Sequence, residues 1–181
     1  MPVLRAVALA CALLVAPAAV TQISGESLDT SAPISIEADS AEQDEKTGVT
    51  TYKGNVAIVQ GSLSIAADLV RIVSRQVDDS RIIAMISAEG SPARFNHRAE
   101  NVTDSITANA RSIDYMLEDG KVILQREAAL VQHGSSVSGD RIEYFIAEKR
   151  VSARTEESAS RGGRVRTVIT PGSGILFDAN E

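Results

Sequence analysis

The chain has 181 residues, 44% of them hydrophobic but only 3% aromatic and none of them tryptophan, so a single domain's core must be built from aliphatic side chains. Its 24 acidic side chains outnumber the 18 basic ones. The resulting net charge of −6 argues against general nucleic-acid binding, which needs clustered Lys and Arg to neutralise phosphates.

Arg5 followed by an unbroken apolar stretch over 6–20, with small residues at Ala16-Pro17-Ala18, predicts a secretory signal peptide over 1–18. The stretch is short for a membrane span, which takes about 20 apolar residues. Acylation at Cys11 does not fit, because the apolar run continues well beyond it. Cleavage would remove that sole cysteine, and with it any disulfide scaffold, Cys-ligated metal or Cys nucleophile. Taking Arg5 from the 18 basic residues leaves 17 against 24 acidic, a net charge of −7.

Residues 19–32 are polar and aperiodic, a flexible leader. Pro33 opens a clean alternation over 34–39, the pattern of a half-buried strand. Residues 44–48 (DEKTG) are turn chemistry, with Gly48 free to take positive φ. Strands carrying Tyr52, Val56 and Ile58, a bend at Gln60-Gly61, and strands carrying Ile65, Val70 and Ile72 follow. Residues 73–80 are expected to be a polar turn. Strands around Ile82-Ile83-Met85 and Ala93-Phe95 come next, with Pro92 as a strand opener or edge residue. A further turn is expected over 97–104, then strands at 106–109 and 113–115. Residues 156–164 are expected to be a loop and 165–170 the last strand, stopped by Pro171. A loose tail, 172–181, ends the chain.

A β-repeat organises this pattern. The segment from Gly48 (GVTTYKGNVAIVQGSLSIAADLVRI) and the segment from Gly120 (GKVILQREAALVQHGSSVSGDRIEY) align without a gap at one offset, Gln132 minus Gln60, or 72. Ile58 matches Leu130, Ile65 matches Val137 and Val70 matches Ile142. Such duplication means stacked units that bury their apolar faces against one another. The repeat also settles 62–72, where Leu63, Ala66, Ala67 and Val70 fall at helical spacing. Its second copy has Gly139 among Val137, Ile142 and Tyr144, a poor helix, so both copies are strands. A shorter phrase, Ile/Val-x-Ala/Gly-Asp/Asn, ends at Asp39, Asp68, Asn109 and Asp140, as if to cap a recurring corner between two sheets.

Catalytic chemistry is not found. His97 and His133 lie in polar, turn-like contexts and read as surface residues, without further ligands at metal-binding spacing. No nucleophile elbow, phosphate loop or dinucleotide fingerprint is present. Asp39, Asp68 and Asp140 lack the dense glycines of calcium-binding solenoids, which favours turn capping. Asn101-Val102-Thr103 is a glycosylation sequon and says only that the segment is exposed. The chain is read as a non-enzyme without a cofactor. What remains is an apolar lining: one strand parity turned inward as Ile34, Ile36, Val56, Ile58, Ile65, Phe95, Ile113, Leu130, Val137 and Ile142. It serves either as an ordinary core or as a groove for acyl chains, and parity alone does not separate the two.

The stretches PISIEADSAE (33–42), YKGNV (52–56), Gln60-Gly61, Ala67-Asp68 and RVRTVITP (164–171) resemble the OstA-like family, over 33–171. Arg126-Glu127 stand where the first copy has Gly54-Asn55, so the second half is assigned mainly by internal symmetry. The resemblance implies an all-β fold, a twisted antiparallel β-jelly roll of stacked β-repeats open at both ends. It also implies a periplasmic protein that holds the lipid A acyl chains of lipopolysaccharide between its sheets. End-to-end stacking is implied with LptC-like inner-membrane and LptD-like outer-membrane proteins and, head to tail, with copies of itself. Unpaired strand edges suit such stacking, at Ile34, Ile36 and Ala38 on the first strand and Val165, Thr167 and Ile169 on the last. The alternatives are an LptC-like component tethered by an uncleaved N-terminal segment, and a self-assembling structural β-solenoid with a dry core.

Overall fold

A computed structural model describes residues 32–98, 105–155 and 164–171. The expected signal peptide, nearly all of the leader, the sequon, the 156–163 part of the expected loop and the C-terminal tail lie outside them. Every regular element among the described residues is a β-strand. They are β1 (Ile34–Glu37), β2 (Ser40–Asp44), β3 (Val49–Gln60), β4 (Leu63–Val77), β5 (Ser80–His97), β6 (Ile106–Met116), β7 (Lys121–Gln132), β8 (Ser135–Phe145), β9 (Arg150–Arg154) and β10 (Arg166–Val168). They form one antiparallel sheet in the order β1-β3-β4-β5-β6-β7-β8-β10, with β2 also on β3 and β9 also on β8. The expected pair of sheets is thus a single one.

The strands are long, 15 residues in β4 and 18 in β5, and one face is buried over 63–72 of the first and 86–97 of the second. No helix among the described residues covers that face, so the sheet buries it by folding over on itself. The fold line is written in the register. Pairing lapses between Lys53 and Val56 on β3, between Ala66 and Leu69 on β4, and between Glu89 and Ala93 on β5. It lapses again between Asn109 and Ser112 on β6 and between Gln125 and Ala128 on β7. Extra residues in a ladder bend the strand and raise its twist, and a continuous row of them creases the whole sheet. One layer then holds β1, residues 56–67, 93–98, 105–110, 128–139 and β10. The other holds β2, residues 49–53, 69–89, 112–125, 141–145 and β9.

Inward parity reverses across the crease. Ala67 and Val70 both face inward, as do Ala88 and Ala93, and Ala110 and Ile113. On the first layer's side of the crease the inward residues of four strands are alanines: Ala67, Ala93, Ala110 and Ala128. Walls that converge at a corner leave room for little more than a methyl group, and close packing then admits larger side chains only farther out. Ile65, Phe95 and Leu130 occupy the next inward positions of β4, β5 and β7. The first-layer and second-layer residues make one hydrophobic cluster.

Four of the phrase-ending residues sit at the crease. The Asp39 backbone N–H donates to Gly54 O at 3.0 Å, and Asp68 Oδ2 accepts the Ser91 backbone N–H at 3.1 Å. Asp39, through its backbone, and Asp68, through its carboxylate, therefore bond the neighbouring strand's irregular segment, rather than capping a turn between separate sheets. Pro92 lies inside β5 at the crease, where neither neighbour is in register, so its missing N–H breaks no ladder.

Other expectations shift at strand ends. The 73–80 turn shrinks to Asp78 and Asp79, since β4 and β5 extend their hairpin on either side. β1 stops at Glu37 rather than Asp39, and β10 covers only Arg166–Val168 of the expected 165–170. The 44–48 turn is present: Asp44 Oδ1 accepts the Lys46 N–H at 2.9 Å, and Thr47 with these bonds holds the Asp44 carboxyl below its ordinary pKa.

The repeat is deeper in the backbone than in the side chains. At the 72-residue offset, φ is +69° at Gly48 and +55° at Gly120, and +55° at Gly61 and +52° at His133. Gly54 (+80°) and Asn55 (+45°) correspond to Arg126 (+63°) and Glu127 (+56°). Arginine and glutamate hold the left-handed conformation that glycine and asparagine take more readily.

Candidate functional site: the interior between the layers

All ten side chains expected to line the interior face inward. Val56, Ile58, Ile65, Phe95, Ile113, Leu130, Val137 and Ile142 are at most 2% exposed. Ile34 and Ile36 are half-buried and pack against the same cluster from β1. Eight of the ten belong to the first layer, and only Ile113 and Ile142 to the second. The second wall is completed by residues that the parity argument passed over, chiefly Val70, Ile72, Ile86, Tyr115, Leu124 and Tyr144.

The interior is apolar along its length and has polar residues at one lip. Gln60, Leu63, His97, Ile106, Gln132 and Ser135 follow one another in register across β3 to β8, all buried. His97 is therefore not the surface residue expected. It is 7% exposed at the end of β5, between Leu63 and Ile106. His133 lies half-buried in the β7–β8 turn. This lip also fastens the chain's outer strands. Gln60 Nε2 donates to Ala32 O at 3.3 Å next to β1, and the Thr170 N–H donates to Ser135 Oγ at 3.3 Å beyond β10.

Among the described residues nothing caps the interior at its two ends. Ile34, Ile36 and Tyr52 lie half-buried at the first end, and Ala153 on β9 at the other. Each end is made of two short strands, one per layer: β1 and β2 on β3, β10 and β9 on β8. Among the described residues β1 and β10 pair on one side only. Ile34 and Ile36 belong to β1 and Thr167 to β10, while Ala38, Val165 and Ile169 flank those strands. β2 and β9 are additional edge strands that hydrophobic patterning does not reveal, because β2 is exposed throughout.

The ends differ in charge. β1 and β2 with their link carry Glu37, Asp39, Glu42 and Asp44 and no basic residue. β9 and the β10 segment carry Arg150, Arg154, Arg164 and Arg166 and no acidic one. Within the chain Arg154 reaches Glu143 on β8 at 3.0 Å, and Arg150 reaches Glu148 at 2.7 Å. The Arg141 side chain, hydrogen-bonded at 2.8 Å, holds the Glu143 carboxyl below its ordinary pKa, with Arg154 and Lys121 adding to the effect.

The model of the LptA/(LptD N-terminal domain) LPS transport protein family matches residues 35–150. The chain belongs to that family. Lipopolysaccharide export system protein LptA of Escherichia coli is 32% identical over 163 residues, 90% of this chain and 83% of that protein. Lipopolysaccharide export system protein LptH of Pseudomonas aeruginosa is 30% identical over 146 residues, 79% of this chain and 82% of that one. The crystal structure of LptH, described as the LptA-homologous periplasmic component of a lipopolysaccharide transport device, superposes with a TM-score of 0.72 at 28% identity. That match covers 80% of this chain and all of the LptH chain. The family's fold is the one seen here, an antiparallel β-jelly roll open at both ends.

Proposed function

We propose that the chain is a periplasmic lipopolysaccharide carrier that holds acyl chains between its two layers and stacks end to end into a bridge. The observation that carries this reading is the continuous apolar interior, which no described residue caps at either end. Family membership supports it, as do the relatives named for lipopolysaccharide export. The interior side chains pack on one another, so acyl chains enter by parting the layers about the crease. Alanines on one side of that line leave little interdigitation to undo there.

Stacking places β1 and β2 of one copy, or of an LptD-like or LptC-like partner, against β9 and β10 of the next. The acidic and basic ends are complementary, which favours head-to-tail over head-to-head contact. The signal peptide is cleaved in this reading, and the intact mass of periplasmic protein shows loss of about 18–20 residues. Full-length protein kept in the membrane fraction would favour an LptC-like tethered component instead.

A photoreactive residue at Ile36 or Ile58 tests the carrier reading. Lipopolysaccharide should form a covalent adduct at both positions. If wild-type protein does not bind lipopolysaccharide, the interior is a dry core and the structural solenoid takes the carrier's place.

A further inference from the structure

Tyr115 lies on the inner face of the second layer, in β6, paired in register with Ile86 on β5 and Val122 on β7. It is fully buried, and its hydroxyl has no hydrogen-bond partner among the described residues. Both strand neighbours are apolar and buried. A buried hydroxyl without a partner is costly, and native structures rarely leave one unexplained. Phenylalanine would fill the same space without that cost. Burial also raises the phenol's pKa, so it remains a neutral donor and acceptor at physiological pH.

We propose that the Tyr115 hydroxyl is a polar contact inside the groove, hydrogen-bonding a carbonyl or hydroxyl group carried on the acyl part of the bound amphiphile. The inference rests on the carrier reading and adds a discrimination to it. Aliphatic walls accept any hydrocarbon, but a phenol aimed among them rewards a chain bearing an ester, an amide or a hydroxyl within reach. A plain alkyl chain leaves the phenol as unsatisfied as it is without ligand. A site built to hydrogen-bond discriminates against an analogue lacking the group, whereas apolar walls alone do so weakly.

The test compares wild type with Tyr115→Phe in full-length mature protein, using lipopolysaccharide and dodecylphosphocholine as probes. The second has a plain alkyl chain. Lipopolysaccharide should bind the variant about threefold to tenfold more weakly, with dodecylphosphocholine binding unchanged and melting temperature unchanged or raised. Equal lipopolysaccharide affinity in the two proteins would overturn the inference and leave the carrier reading intact. A lower melting temperature for the variant would also overturn it, because the hydroxyl would then have a partner within the protein. Failure of wild type to bind lipopolysaccharide would remove both readings.

Discussion

Asp39 and Asn55 lock the acidic end of the sheet to the crease. The Asn55 side-chain amide donates to Asp39 Oδ2 at 3.0 Å across the gap between the first edge strands and β3. Beside them, a Cβ on Gly54 would stand 2.2 Å from the same carboxylate oxygen, with φ at +80°. Conformation and space thus both call for glycine there.

Gly54→Ala should lower stability by about 2 kcal/mol or more, combining the left-handed backbone penalty with displacement of Asp39. The matching position of the second copy behaves oppositely. Arg126→Gly relieves an existing left-handed side-chain residue and should be neutral or stabilising by up to about 1 kcal/mol. Urea unfolding of the two variants measures the contrast, and equal losses would contradict it.

Ala110 is fully buried beside the crease, where the layers converge. Ala110→Leu should cost about 1–3 kcal/mol through overpacking. Val59→Ser on the outer face, where the side chain is 48% exposed, should stay within about 0.5 kcal/mol. Thermal unfolding followed by circular dichroism checks both.

Glu143 ties β9 to β8 through Arg154, and its folded pKa is depressed. A depressed carboxyl contributes stability above its unfolded pKa of about 4.5, and the contribution is lost as pH falls through the lower folded value. Glu143→Gln should therefore lower the melting temperature at pH 7 by about 1–4 °C. The difference from wild type should shrink as the pH drops below about 4. A gap that persists in acid would show that packing, not charge, is responsible.

The opposite charges at the two ends make assembly salt-sensitive. Exposed charges are screened beyond about 10 Å at 0.1 M ionic strength and about 3 Å at 1 M. Mean mass by light scattering should rise with protein concentration at low salt and much less at 1 M. Arg166→Glu should weaken assembly, and a second substitution, Glu42→Arg, should restore part of it. Monomer mass at all concentrations would rule out self-association.

Much of this architecture is legible in residue order, and what is not has physical causes. Alternation around Ile58 and Val137 reveals strands, and the 72-residue repeat overrides the helical spacing at 62–72. A single inward parity, however, cannot survive a crease. Ala67 and Val70 are three apart and both buried, so a list built on one parity fills the first wall and leaves most of the second out. β2 shows no apolar period because all five of its residues are exposed. His97 looks like a turn residue beside Asn96 and Arg98, and only its register with Leu63 and Ile106 buries it. The left-handed pair Arg126-Glu127 is invisible to propensity, but transferring Gly54-Asn55 across the repeat would have found it.

Because each long strand passes through both layers, every hairpin carries a complete slice of both walls. The offset from β3 to β7 advances four strands, about 19 Å at the usual spacing. The bore of the interior is set within a strand, by the residues flanking the crease. Its length is set by how many hairpins follow one another. The two dimensions are therefore independently tunable. A hairpin gained or lost would change how far the protein reaches while leaving unchanged what fits inside it.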